Sequence, residues 1–369
     1  MRRACAMLSR REAGMPRAPF ELAAIAVPLA LARAFALGLA FGLATGCAEQ
    51  PAVDAAPPGP TVPIAGGGER RDLRFACGAG TCAGWLFLPA GASAPPVVVM
   101  AHGFAGTRDV ALPAFAERFA REGVASLVFD YRHFGASSGA PRQLVDPWRQ
   151  LEDWRGALAF ARGLDAVDGA RLALFGTSLG AGLALISAAE DGDVRAVVAQ
   201  VPLVDSSVEG EATFYGVAWA ARLLLTGWAD LLQQRILGTA IEIPVFAPAG
   251  GFGMIVDDAA WTAFAKVVPE GSTHRNAVVA HSAFTFDSWN PAPQAAELRA
   301  PVLAVASRSD RFAPFAAVEA LARQAPNVEV VEIPGDHFDV YAPPVRDEAA
   351  AVEAGFLARH LDPTPPRAP

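Results

Sequence analysis

Short, largely apolar runs alternate with helical patterns along most of this chain, and that alternation restricts its fold more than any other feature. Val97 to Met100, Ser126 to Phe129, Leu172 to Phe175, Val194 to Val201, Val302 to Ala306 and Val328 to Ile333 read as strands. Between and after them, Ala114 to Arg121, Leu179 to Ala189, Phe315 to Arg323 and Val345 to Leu361 read as helices, and Leu151, Trp154, Leu158 and Ala161 share one further helical face. A strand with no polar alternation is buried on both sides, which implies a parallel sheet covered by helices. The expected fold is therefore α/β, with a mostly parallel central sheet, helices on both faces and right-handed crossovers. Apolar residues make up 53% of the 369 and charged residues 18%, enough for such a core. A net charge of −8 argues against a nucleic-acid partner, because phosphate backbones require clustered cations.

The rhythm stops between Leu203 and Arg299. Phe214, Val217, Ala221, Leu224, Trp228 and Leu231 recur there at spacings of three and four, a helical stripe with Arg222, Asp230, Gln233 and Gln234 off it. The polar groups and the short length count against a membrane span. We expect a helical cap inserted at about 205–298, over the sheet edge where ligands bind in open α/β folds, with the apolar stripe as its underside. The whole domain is expected over 72–361, with a disordered tail at 362–369.

The first 46 residues do not read as part of that domain. A cationic start (Arg2, Arg3, Arg10, Arg11, Arg17) precedes an apolar run from Ala34 to Leu43. The run is short for a membrane span and suits a signal-peptide core. It ends in Ala44-Thr45-Gly46-Cys47, which resembles the lipobox of bacterial lipoproteins, with Cys47 as the lipidated residue. The expected product is exported, either periplasmic or held at the cell envelope through a lipid anchor. Plain secretion and an uncleaved anchor are the rival readings. Residues 47–71, rich in Pro, Gly and Ala at their start, read as a disordered tether.

Cys77 and Cys82 flank Gly78-Ala79-Gly80-Thr81, with strand-like residues on both sides. A Gly-rich loop of that length suits a hairpin and brings the sulfurs together, so a disulfide is expected in an oxidising compartment. The rival is two free thiols. No cysteine spacing of the zinc-binding type occurs.

Gly176-Thr177-Ser178-Leu179-Gly180 follows a buried strand and opens an apolar helix. That context makes the G-x-S-x-G pattern a nucleophile elbow, whose turn exposes the serine hydroxyl at a helix N-terminus. A serine needs a base, and in this arrangement the order along the chain is serine, acid, histidine. His337, in Pro334-Gly335-Asp336-His337-Phe338 after the last strand, is the expected base; His274 and His281 fall in the cap and His360 in the last helix. The expected acid is Asp310, just past the strand Val302 to Ala306, and Asp205 is the alternative, one strand earlier. The oxyanion donors are expected to be the peptide N–H groups of Leu179 and Phe104. His102 is expected to hold its loop, and Asp130 and Arg132 to serve as a buried ion pair or turn beside it.

These residues resemble the α/β-hydrolase superfamily from about Asp72 to Leu361. Ala101-His102-Gly103-Phe104-Ala105-Gly106-Thr107, Phe129-Asp130-Tyr131-Arg132-His133-Phe134-Gly135, the serine motif and Gly335-Asp336-His337-Phe338-Asp339-Val340-Tyr341 are similar to the bacterial branch near dienelactone hydrolases and Xaa-Pro-peptidase-like esterases. The resemblance implies a Ser178, Asp310, His337 triad working without metal or cofactor. The function expected is hydrolysis of small-molecule carboxylic or acyl esters through an acyl-enzyme. A peptidase or amidase would use the same triad with an amine-binding carboxylate pair, for which Asp257-Asp258 and Glu209-Glu211 are candidates. A thioesterase is a further variant, and a non-catalytic lipid-binding protein of the envelope is the reading from another class.

Overall fold

The computed structural model describes residues 60–205, 215–286 and 289–361. The expected signal peptide, Cys47, Glu209, Glu211, Phe214 and the tail at 362–369 lie outside the described residues. The domain begins earlier than residue 72. β1 (Thr61–Pro63) pairs antiparallel with β2 (Gly68–Cys77), so much of the described part of the expected tether is strand. The polar run Glu69-Arg70-Arg71 hid this. Those residues join the sheet because β2 pairs along its whole length with β3 (Gly80–Pro89), and Arg70 lies over the Trp85 ring at 4.3 Å, supplying the contact an apolar residue would otherwise make. A disulfide joins Cys77 and Cys82 across this hairpin, whose turn is tighter than the four-residue loop expected because Cys77 already pairs with Gly80.

The chain continues through β4 (Pro96–Ala101), α1 (Leu112–Arg121), β5 (Ala125–Phe129), α2 (Pro147–Arg162), β6 (Asp168–Thr177), α3 (Leu179–Asp191) and β7 (Ala196–Gln200). An insertion follows, with α4 (Val217–Leu237), β8 (Glu242–Ile243), β9 (Phe246–Ala247), β10 (Ile255–Val256), α5 (Asp258–Ala265), β11 (Val278–Val279), a 3-10 helix (Ala280–Phe286) and α6 (Ala292–Glu297). The sheet resumes with β12 (Val302–Ala306), α7 (Phe315–Gln324), β13 (Val328–Glu332) and α8 (Val345–Leu361).

Nine strands form one sheet in the order β1-β2-β3-β5-β4-β6-β7-β12-β13. Pairing is antiparallel from β1 through β5 and parallel from β5 onward. Val97, Val98 and Val99 are all fully buried, as are Leu172 to Phe175, so consecutive side chains on both faces are covered. Helices α1 and α8 pack together against the sheet, and α2 and α3 form a second packed pair. The fold is an α/β sheet with flanking helices.

The insertion corrects one expectation. The stripe of α4 expected to face inward is turned largely outward: Val217 is 71% exposed, Ala221 is exposed and Trp228 is 38% exposed. The buried face is Leu223, Gly227 and Asp230. Two local constraints decide this. At Gly227 a Cβ would stand 2.5 Å from the Phe284 ring, so the 3-10 helix packs directly on bare backbone there. Asp230, fully buried, accepts hydrogen bonds from the N–H groups of Ile241 (2.7 Å) and His281 (3.0 Å), from the His281 ring (2.7 Å) and from Gln234 (2.9 Å). A carboxylate that closes the helix against two neighbouring segments fixes its rotation more firmly than an apolar stripe on a helix that is apolar nearly all round.

Two predictions follow from buried polar groups. Asp230→Ala leaves two peptide donors without their acceptor and should lower stability by about 2–4 kcal/mol, read from urea midpoints. Glu353 on α8 is fully buried and accepts a hydrogen bond from Gln200 Nε2 at 2.9 Å. Burial pushes its carboxyl up to about 8 from an ordinary 4.5. Its contribution to stability is therefore complete below pH 4.5 and is lost as pH rises toward 8, at up to about 1.4 kcal/mol per pH unit. Glu353→Gln should flatten that slope, which urea midpoints at about pH 5 and pH 8 will measure.

Candidate active site

The Ser178 turn is built by close backbone approach. Ser178 takes φ 56° and ψ −122°, a sparsely populated conformation for a residue with a side chain, costing about 1–3 kcal/mol. Its peptide N–H donates to the Gln200 carbonyl at 2.8 Å, which ties the turn to the end of β7. On the other side, Gly180 lies so near β4 that a Cβ would stand 2.4 Å from the His102 carbonyl oxygen. Helix α3 begins at Leu179, so the hydroxyl sits at a helix N-terminus, half-buried and reachable.

The structure brings Ser178, His337 and Asp310 into one hydrogen-bonded chain. Ser178 Oγ lies 3.0 Å from His337 Nε2, and His337 Nδ1 lies 2.7 Å from Asp310 Oδ2. An ionised carboxylate can only accept, so the Nδ1 proton points at Asp310 and the Nε2 lone pair at the serine hydroxyl. Asp310 is held in turn: its other oxygen accepts from the N–H groups of Phe312 (2.8 Å) and Ala313 (2.7 Å). His337 and Asp310 are buried, 3% and 7% exposed, so their interaction is shielded from water. Asp205 lies half-buried on the loop after β7. Asp336 and Asp339 serve the loop, Asp336 accepting from the N–H groups of Arg311 and His337, and Asp339 from the N–H of Asp336.

Phe104 and Leu179 flank the serine. A Cβ on Gly103 would stand 3.0 Å from Ser178 Cβ, so the loop after β4 runs directly against the Ser178 turn, with Phe104 next in the chain. His102 holds that loop through a 2.9 Å hydrogen bond between Nδ1 and the Gly103 carbonyl, and its ring meets Tyr131 edge-on at 4.7 Å. Burial holds its imidazole below the usual range and keeps it neutral. Asp130 and Arg132 belong to two separate ion pairs. Asp130 accepts from the N–H of Arg108 and pairs with its guanidinium, while Arg132 pairs with Asp153 and Glu152. The two residues leave the end of β5 in different directions, one to the loop beside the serine and the other to α2. Burial raises the Asp153 carboxyl to about 6 despite its arginine partner.

Several contacts around the site were not expected from the sequence. Tyr341 places its hydroxyl 2.7 Å from Thr177 Oγ1, joining the histidine loop to the residue before Ser178. Arg311 bridges Asp336 and Asp257, each at 2.7 Å, so the insertion is tied to the histidine loop. Asp109, after β4, accepts from the Thr273 N–H at 2.7 Å and the Ser272 hydroxyl at 3.1 Å, tying the insertion to the opposite loop. Aromatic rings fill the space between: Phe338 meets His337 at 4.9 Å and packs on Phe312, Phe246 and Phe264. His274 of the insertion touches Phe264, and burial lowers its imidazole to about 4. Apart from the 101–107 and 335–341 motifs, these partners lie far apart in sequence and meet only through the fold.

The fold is shared with known proteins. The family model of the alpha/beta hydrolase fold matches residues 96–342. The chain is 35% identical over 290 residues to the quorum-quenching protein AidA of Acinetobacter baumannii, covering 78% of this chain and 94% of that protein. It is 27% identical over 306 residues to the polyketide transferase af380 of Aspergillus fumigatus, covering 79% and 99%. Among solved structures, the alpha/beta hydrolase GrgF from Penicillium superposes with a TM-score of 0.68 at 23% identity, over 79% of this chain and 99% of that one. With the strand order, the serine turn and this match across its central region, the chain belongs to the alpha/beta hydrolase family.

Proposed function

We propose that this protein is a serine hydrolase that cleaves carboxylic esters through an acyl-enzyme. The observation that carries the reading is the hydrogen-bonded chain from Ser178 through His337 to Asp310. His337 Nε2 takes the hydroxyl proton as Ser178 Oγ attacks the ester carbonyl, and Asp310 stabilises the imidazolium that forms. The oxyanion is held by the peptide N–H groups of Leu179 and Phe104. His337 returns the proton to the departing alkoxide, leaving an acyl-serine that an activated water releases as the acid. The rings of Phe246, Phe264, Phe312 and Phe338 beside His337 favour an acyl or aromatic substrate over a sugar.

A second reading has its own support. The similarity to a polyketide transferase favours an acyl-enzyme resolved by another nucleophile, with a thioester as donor. The chemistry at Ser178 is unchanged, and only the leaving group and acceptor differ. The relative named for quorum quenching directs attention to small signalling molecules, for which an acylated lactone, an ester closed into a ring, is a suitable probe. Asp257 and Asp258, candidates for recognising a free amine, are engaged: Asp257 caps α5 and pairs with Arg311, and Asp258 accepts from the Ala249 N–H.

The proposal extends to export with lipid attachment at Cys47. The apolar run before Ala44-Thr45-Gly46-Cys47 supports it, and the Cys77–Cys82 disulfide suits an oxidising compartment.

A rate panel on p-nitrophenyl esters, a thioester and an acylated lactone tests the chemistry. Ser178→Ala should lose about a thousandfold or more of kcat/KM on every active substrate. Asp310→Asn should lose at least about a thousandfold, with Asp205→Asn close to wild type. Unchanged turnover in Ser178→Ala would remove Ser178 as the nucleophile, and no turnover of any substrate by the wild type would favour a binding protein; the reverse result for the two aspartates would move the acid to Asp205. Cys47→Ala should abolish incorporation of labelled fatty acid, and continued labelling would sink the lipidation site.

A further inference from the structure

The outward face of α4 is largely exposed, with Trp228 set against the Phe284 ring at 5.5 Å, and its composition is unusual for a surface in water. Val217, Ala221, Leu225, Trp228, Leu232 and Ile236 follow one another at spacings of four, four, three, four and four. That spacing keeps them on one side of a 21-residue helix about 31 Å long. Leu225 is 72% exposed, Leu232 61% and Ile236 68%. A continuous exposed apolar stripe of this kind marks a binding surface. No helix among the described residues is long and apolar enough to cross a membrane.

We propose that this face seats α4 flat on an anionic lipid bilayer, an occupant distinct from the substrate of Ser178. Charge is the first argument. The chain carries a net −8, yet the exposed charges of α4 are Arg222 and Arg235, and its single acid, Asp230, is buried. Two cations flanking an apolar stripe complement anionic headgroups. Chain length is the second. The sequence outside the described residues holds a cationic start, an apolar run and Cys47, the features of a membrane-targeted segment, and only twelve residues lie between Cys47 and Pro60. Fully extended, they reach about 45 Å, so a chain held at Cys47 keeps the domain beside the bilayer. Trp228 on the stripe is the residue type that settles at the lipid–water boundary.

All seven tryptophans lie within residues 85–289, so their fluorescence reports on the folded domain and not on the first 59 residues. The test is quenching by bromine-labelled acyl chains in vesicles of phosphatidylethanolamine and phosphatidylglycerol, with the full chain bound. Quenching is expected for the wild type, reduced at least about twofold in Trp228→Phe and abolished in Leu225→Glu/Leu232→Glu. Both leucines are exposed, so the double variant should keep wild-type ester turnover in solution, which verifies its fold. Vesicles of phosphatidylcholine alone should quench several-fold less. Absence of quenching in the bound wild type, or equal quenching in the double variant, overturns the proposal. So does a concentration-dependent dimer, seen by sedimentation velocity without vesicles and lost in the double variant, which would assign the face to a second copy. Ester turnover and Cys47 labelling are read separately, so failure here is distinct from failure of the functional reading.

Discussion

The turn between β6 and α3 holds Ser178 at φ 56° because the backbones around it approach to distances no side chain would permit. Gly180 gives way to the carbonyl of His102, and the Ser178 N–H is taken by the carbonyl of Gln200, so the turn is gripped by the strands on either side of β6. This one junction sets the positions of the loops after β4, β6 and β7 relative to each other. Loosening it would move the serine away from His337 and the loop of Phe104 away from the serine together. A conformation that costs about 1–3 kcal/mol persists because a nine-stranded sheet over-determines it.

Asp310 and His337 are supported from their own sides. Asp310 is fixed by two peptide donors and His337 by Asp310, while Tyr341 connects the histidine loop back to Thr177. The insertion closes over this arrangement through two polar ties, Asp109 to Thr273 and Arg311 to Asp257, with a cluster of phenylalanine rings between them. Polar ties at the rim and rings at the centre leave the reacting groups in a low-dielectric setting, where the Ser178 to Asp310 chain is strongest. The insertion thus presents two unlike faces: an inner one that borders the site and an outer one on α4 that is apolar and exposed.

The sheet and the serine, histidine and aspartate positions were legible in the sequence because each is marked locally. Strands such as Val97 to Met100 announce themselves by unbroken apolar runs, and Ser178 and His337 lie at the ends of such runs with glycines beside them. What escaped was whatever depends on distant partners. The rotation of α4 was misread because Leu223, Leu224 and Leu225 give no preferred side, and the deciding contacts, Asp230 with Ile241 and His281, lie up to 51 residues away. The early start of the sheet was missed because Arg70 owes its place to Trp85 across the hairpin.

By itself, then, the sequence determined the α/β class, the order of strands and helices from Val97 onward outside the insertion, and which polar residues follow the strand ends, since all of these follow from apolar periodicity and glycine placement over a few residues. Only the tertiary structure decided that Arg108 and not Arg132 neutralises Asp130, that Arg311 links two loops, and which way α4 turns its apolar side. Those choices are made by buried charges seeking partners in three dimensions, and the local pattern of a chain carries no record of where such partners will come from.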